Sequence, residues 1–183
     1  MILLAVGVVL WWAGHLFKRV LPGVRQRMGD RGKGVAALLI VAAIVLMVLG
    51  YRGATLDLVY LPPAWGRHVN NAAMLVAVVL LGMGSSKGKM RTWLRHPMLT
   101  GVLVWAVAHL LVNGDRPSLL LFGSMGLWAI VEMVIINAKD GPWKRPEPGP
   151  LRGDLQLVVT SLVAFAVIAA IHTWLGVYPF PVS

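Results

Sequence analysis

Six long apolar runs, separated by short stretches that hold most of the charge, set the organisation of this chain. They cover residues 1–17, 35–50, 70–84, 97–112, 118–137 and 155–177. A helix needs about 17 to 25 apolar residues to cross hydrocarbon. The second, third and fourth runs sit at the short end and borrow interfacial residues to reach across. The pattern predicts an all-α fold, a polytopic membrane bundle of about six transmembrane helices, as a single integral-membrane domain over 1–183.

Punctuation supports these boundaries. The fourth run starts at His96–Pro97, with proline in the first helical position, and stops at Asn113–Gly114. Between runs two and three, YRGATLDLVYLPPAWGRH carries Pro62–Pro63, which forbids a continuous helix. Tyr60 and Trp65 suit a membrane interface, so this segment is expected to lie along one face of the membrane. The loop KDGPWKRPEPGPLRGD, rich in proline and glycine, is expected to be exposed. The chain shows no repeat of fixed period and no low-complexity tract.

Composition agrees: 58% of the 183 residues are hydrophobic and 13% charged, with a mean hydropathy of +0.76. The net charge of +10 would suit nucleic acid, but its distribution does not. Of 17 Lys and Arg, 14 fall in segments 18–34, 85–96 and 138–154, leaving only Arg52, Arg67 and Arg116 on the other side. Such alternation follows the positive-inside rule and implies a lipid bilayer as partner, no nucleic acid, and both termini outside the cytoplasm. The first run lacks a basic leader and a small-residue cleavage site, so it reads as a retained helix.

The chain has no cysteine. Disulfides, thiolate zinc, iron–sulfur clusters and covalent c-type haem are therefore excluded. It also lacks HExxH, a GxSxG with partners, a phosphate loop and a carboxylate cluster for di-iron, so hydrolase and ATPase readings find no support.

Five histidines remain: His15, His68, His96, His109 and His172. A histidine at an interface ordinarily caps a helix or meets headgroups. Ligating side chains inside a span are rarer and point to function, which favours His15 in WWAGHLF and His109 in WAVAHLLV. His96 and His109 lie thirteen positions apart, about 20 Å and about 220° of rotation, so they cannot share one small ligand. His15 and His96 fall toward the basic side of the membrane, and His68, His109 and His172 toward the other. Trp105 shares a face with His109, with Gly101 below them where a small residue admits a flat ligand or, more ordinarily, a neighbouring helix. Glu132, in LWAIVEMVIIN, is the one carboxylate inside a run, expected to pair with His15, His96 or Arg95 or to be protonated. Asp115 reads as turn chemistry. Histidines without cysteine also suit a noncovalent haem b.

The block RHPMLTGVLVWAVAHLLVNGD followed by SLLLFGSMGLWAIVE resembles the signature of the NnrU family of bacterial membrane proteins. GHL in the first run, RQRMGDRGKG after it and PPAWGRH before the third run match as well. The likeness runs over about residues 5–140, and the final helix, about 155–177 with His172, is less diagnostic. The resemblance implies a bacterial inner membrane location and a role in denitrification, in nitrite and nitric oxide reduction, with nitrogen-oxide reductases or their maturation machinery as partners. The family is similar to the plant 15-cis-zeta-carotene isomerase, an integral-membrane enzyme that uses haem b. Carried across by motif, the metal ligands fall on His15 and His109, with His96 as a further family histidine and Gly101, Trp105 and Glu132 nearby.

Helix arithmetic places His15 about 12 to 15 Å deeper than His109, measured from the same side, too far for an upright haem between them. A ring lying nearly flat would fit. So would His15 with His96, or His109 with His68 or His172. The resemblance therefore leaves three readings: a haem-b protein serving denitrification, a haem-dependent isomerase of a polyene such as 15-cis-zeta-carotene, and a haem-free scaffold.

Overall fold

In the structure, a computed structural model that describes residues 1–180, the chain is all-helical, its sole β feature an isolated bridge between Leu58 and Asp115. The helices are α1 (Ile2–Val20), α2 (Pro22–Arg27), α3 (Gly29–Arg52), α4 (Gly66–Met83), α5 (Pro97–Leu110), α6 (Arg116–Asp140) and α7 (Leu151–Trp174). Five of them, α1, α3, α4, α6 and α7, are long and apolar enough to cross a membrane. The sixth, α5, has 14 residues, a rise of about 21 Å.

The polarity of the bundle is that of a multi-pass membrane protein. Leu38, Val41, Val45 and Val48 of α3 are exposed, as are Val159, Val163 and Val167 of α7. In water such contiguous apolar faces would be an aggregation surface; against lipid tails they are at rest. With no hydrophobic drive between helices in lipid, close packing through small residues takes over. At the α1/α3 crossing, a Cβ on Gly50 would fall 2.3 Å from the Leu4 backbone nitrogen, and one on Gly7 2.8 Å from Met47. These glycines, with Ala43, let two backbones touch.

The basic stretch 18–34, which the hydropathy pattern leaves between the first two apolar runs, is almost wholly helical. Proline at the first position starts α2, a left-handed Gly29 (φ 52°) makes the corner, and α3 begins there. The other runs are extended by polar ends: α4 begins at Gly66, α6 at Arg116 and α7 at Leu151. Polar residues that a hydropathy reading discards still satisfy helical backbone at the interface. Helix α6 also contains a π turn over Leu119–Gly123.

Two loop locks close the ends. At the end away from most of the charge, the Val59 and Tyr60 N–H groups both donate to the Gly114 carbonyl (2.7 and 3.1 Å), and Arg116 N–H donates to the Asp57 carbonyl (2.9 Å). The Tyr60 hydroxyl donates to the carbonyls of Leu110 and Asn113. A Cβ on Gly114 would sit 1.9 Å from the Tyr60 carbonyl oxygen, so close approach is what requires glycine in NGD. Asp115 is the N-cap of α6, accepting from the Ser118 N–H (2.9 Å) and hydroxyl (2.8 Å). At the basic end, buried Asp154 in the first turn of α7 accepts from the Lys89 and Met90 N–H groups (3.0 and 2.8 Å) and holds the 84–96 loop.

Candidate functional site

Three of the five histidines are prepared in the same way. His15 Nδ1–H donates to the Trp11 carbonyl (2.9 Å), His109 Nδ1–H to the Trp105 carbonyl (2.9 Å) and His172 Nδ1–H to the Ile168 carbonyl (2.8 Å). A carbonyl only accepts, so Nδ1 carries the hydrogen, and in the neutral ring Nε2 keeps its lone pair. Metal-ligating histidines make such a second bond, and so do helical histidines that bind nothing. His96 is engaged the other way round, Nε2–H donating to Asn137 Oδ1 (2.8 Å) at the start of α5. His68 is exposed.

His109 and His15 sit in separate aromatic clusters. The His109 ring stacks on Phe122 at 4.5 Å and 23°, and Trp105 packs against both, 5.1 Å from His109 and 4.9 Å from Phe122. His15 lies 4.1 Å from Trp11 and 4.8 Å from Trp128, which meet edge to face at 5.4 Å. Phe122 and Trp128 are six residues apart on α6, about 9 Å along its axis. The two histidines thus occupy different depths along one helix.

What shares a cleft with His109 is His172. Asn70, Asn71, Met74 and Val78 of α4 and Phe165, Ile168 and Ala169 of α7 form its walls. Its volume is about 60 Å³, room for a few waters. Asn71 Nδ2 donates to the Pro179 carbonyl (3.1 Å) and ties the segment after α7 beside the cleft.

Glu132 pairs with Arg19, Nε to Oε1 at 2.6 Å, not with His15, His96 or Arg95. The reason is helix direction: α1 and α6 run parallel, so Trp11, His15 and Arg19 at four-residue spacing face Trp128 and Glu132 at the same spacing. The second carboxylate oxygen of Glu132 and the indole nitrogens of Trp11 and Trp128 are buried and have no partner among the described residues. Gly101 serves packing: a Cβ there would lie 3.0 Å from the Ala77 carbonyl and 3.1 Å from Leu80, so its space belongs to α4.

Among the described residues, no three His, Cys, Asp or Glu side chains converge as a metal centre held by several side chains would need. A haem iron asks less, one or two axial imidazoles. The donors suit that need, with Nε2 lone pairs on His15, His109 and His172, aromatic neighbours holding the first two rings, and largely apolar walls around the His109–His172 cleft, although at about 60 Å³ that cleft does not hold a macrocycle as it stands.

Trp11 was within reach of sequence reasoning, being four residues from His15 as Trp105 is from His109. Phe122, Trp128 and Arg19 depend on which helices neighbour each other, and no local signal carries that.

Comparison with known proteins yields no match among curated proteins and none among solved structures. The family described as NnrU protein matches over residues 3–179, which takes in α7 and His172 as well as the RHP, AH and NGD segments. The chain belongs to the NnrU family.

Proposed function

We propose that this chain is a haem-b protein of the bacterial inner membrane, its basic end cytoplasmic and both termini periplasmic, that supports nitrite and nitric oxide reduction through redox supply to, or maturation of, nitrogen-oxide reductases. The observation that carries the haem reading is His109 and His172 lining one cleft, each with Nδ1 anchored and Nε2 free. The denitrification role rests on family membership.

His109 is the first ligand in this reading, because Phe122 and Trp105 hold its ring at a set angle. His172, from α7, would be the second ligand, ahead of the deeper His15, because it lines the same cleft as His109. Met74, Val78, Phe165 and Ile168 make the walls apolar, and Asn70, whose Oδ1 has no partner among the described residues, lies at one side. When bound, haem b supplies one-electron redox chemistry. At about 60 Å³ the cleft is narrow, so holding a haem there would require α7, which packs chiefly on α4, to stand further out.

The test is an absorption spectrum of protein purified after expression with ample haem, alongside nitrite reduction in a deletion strain complemented with wild type or His109→Ala. A Soret band and restored reduction with wild type alone are expected. No Soret band would leave a haem-free scaffold. The apolar walls beside the histidine pair also favour a second reading, isomerisation of an apolar polyene. Turnover of a cis-polyene by the reduced protein, in a strain whose nitrite reduction does not need this chain, would select it.

A further inference from the structure

At the basic end the chain turns from loop into α5 through Met90–Thr92, Trp93, Leu94, Arg95 and His96, and two clefts flank this short segment. One, about 490 Å³, is lined by Arg95, His96, Ile136, Asp140, Trp143 and Lys144 together with Pro142. The other, about 500 Å³, is lined wholly by apolar side chains, Trp93 and Leu94 among them, with Leu75, Val79 and Met83 of α4 and Met90.

The first cleft is built to attract an anion. Neither Arg95 nor Lys144 is in an ion pair among the described residues, and Arg145 stacks on Trp143 at 5.2 Å, adding a third cation beside the rim. The N-terminus of α5, with no side-chain cap, brings free N–H groups and the positive end of the helix dipole to the same place. Asp140 is the single carboxylate in the lining and offsets only part of this charge. Trp143 is the amphipathic side chain that settles at headgroup depth.

We propose that this pair of clefts is a binding site for one anionic phospholipid, its phosphate between Arg95 and Lys144 and an acyl chain along the groove of Leu94, Val79 and Met83. Free phosphate would satisfy the cations equally well. The lipid is favoured because the apolar groove begins one residue from Arg95, at Leu94, and because Trp93 and Leu94 are exposed where the chain meets the bilayer. Basic pockets between helices on the cytoplasmic side recognise anionic headgroups in this manner. The site is independent of any haem.

The experiment is native mass spectrometry of full-length protein in detergent, supplied with phosphatidylglycerol or phosphatidylcholine of identical chains, with thermal unfolding followed in parallel. Wild type is expected to retain phosphatidylglycerol at least about tenfold over phosphatidylcholine, a difference of about 1.4 kcal/mol. The pair Arg95→Gln with Lys144→Gln should abolish the preference, Asp140→Asn should raise it, and Leu94→Asn should lower retention of both lipids. Equal retention of the two lipids by wild type would overturn the proposal, as would an unchanged preference in the double variant. Asp140→Asn, which removes no cation, keeps the test decisive if the double variant fails to fold. Inorganic phosphate at millimolar concentration is expected to give no comparable thermal shift; a shift matching that of phosphatidylglycerol would make the ligand phosphate and not lipid.

Discussion

Arg19 and Glu132 show what a single pair does inside a membrane bundle. Arg19 keeps about a quarter of its side chain exposed while Glu132 is nearly enclosed, so removing each partner has a different cost. Arg19→Ala leaves a carboxylate buried without its counter-charge. Breaking a fully buried pair costs about 3 to 5 kcal/mol, and the partial exposure of Arg19 brings the expected loss nearer 2 kcal/mol. Glu132→Gln leaves an arginine that still reaches water, so it should cost less, and Arg19→Lys should recover part of the loss. Thermal unfolding in detergent ranks the three; equal stability of Arg19→Ala and wild type would mean the pair contributes nothing. At the other end, packing and the nearby Asp115 carboxylate hold the Tyr60 phenol above its ordinary range. A phenol with a raised folded value adds stability that is full below about pH 10 and fades as pH rises through that higher value.

Between elements, the decisive contacts are backbone against backbone. Gly114 accepts the turn of Tyr60 and Gly50 accepts the start of α1, and an alanine methyl has no room at either. Gly114→Ala and Gly50→Ala should each destabilise by about 2 kcal/mol, the usual range for forced overpacking. Gly23→Ala, where nothing lies within 4 Å, should be neutral, and a loss there of the same size would refute the steric account. The π turn at Leu119–Gly123 belongs to this scale too. It carries Phe122, so the extra residue in that turn sets the angle at which the ring meets His109.

At the scale of the whole molecule, the charge distribution predicts an orientation. Because the chain has no cysteine, single cysteines report topology without background. Lys87→Cys and Lys144→Cys should resist a membrane-impermeant maleimide in intact cells, while Leu56→Cys and Trp174→Cys should react; the reverse pattern would invert the protein. The apolar runs, the His96–Pro97 start of α5 and the charge alternation were legible because each is local. The helical stretch from Gly29 was not, since Asp30, Arg31 and Lys33 look like loop residues when hydropathy alone is read. Nor was the partner of Glu132, which depends on α1 and α6 lying parallel. In the sequence the asparagine and glycine of NGD mark a helix stop. The structure gives them sharper work: Asn113 Nδ2 donates to the His109 carbonyl (2.9 Å), and Gly114 makes room for Tyr60. His172 is the least conspicuous of the candidates in sequence because it comes to line one cleft with His109 only once α7 has folded back onto α4.

Joint ligation of haem by His109 and His172 is the central proposal, and low-temperature electron paramagnetic resonance of haem-loaded protein tests it most directly. Wild type should give a low-spin signal of two imidazole ligands, His109→Ala should retain no specifically bound haem, and His172→Ala should shift the iron to high spin. A low-spin signal unchanged in both variants and lost in His15→Ala would contradict it.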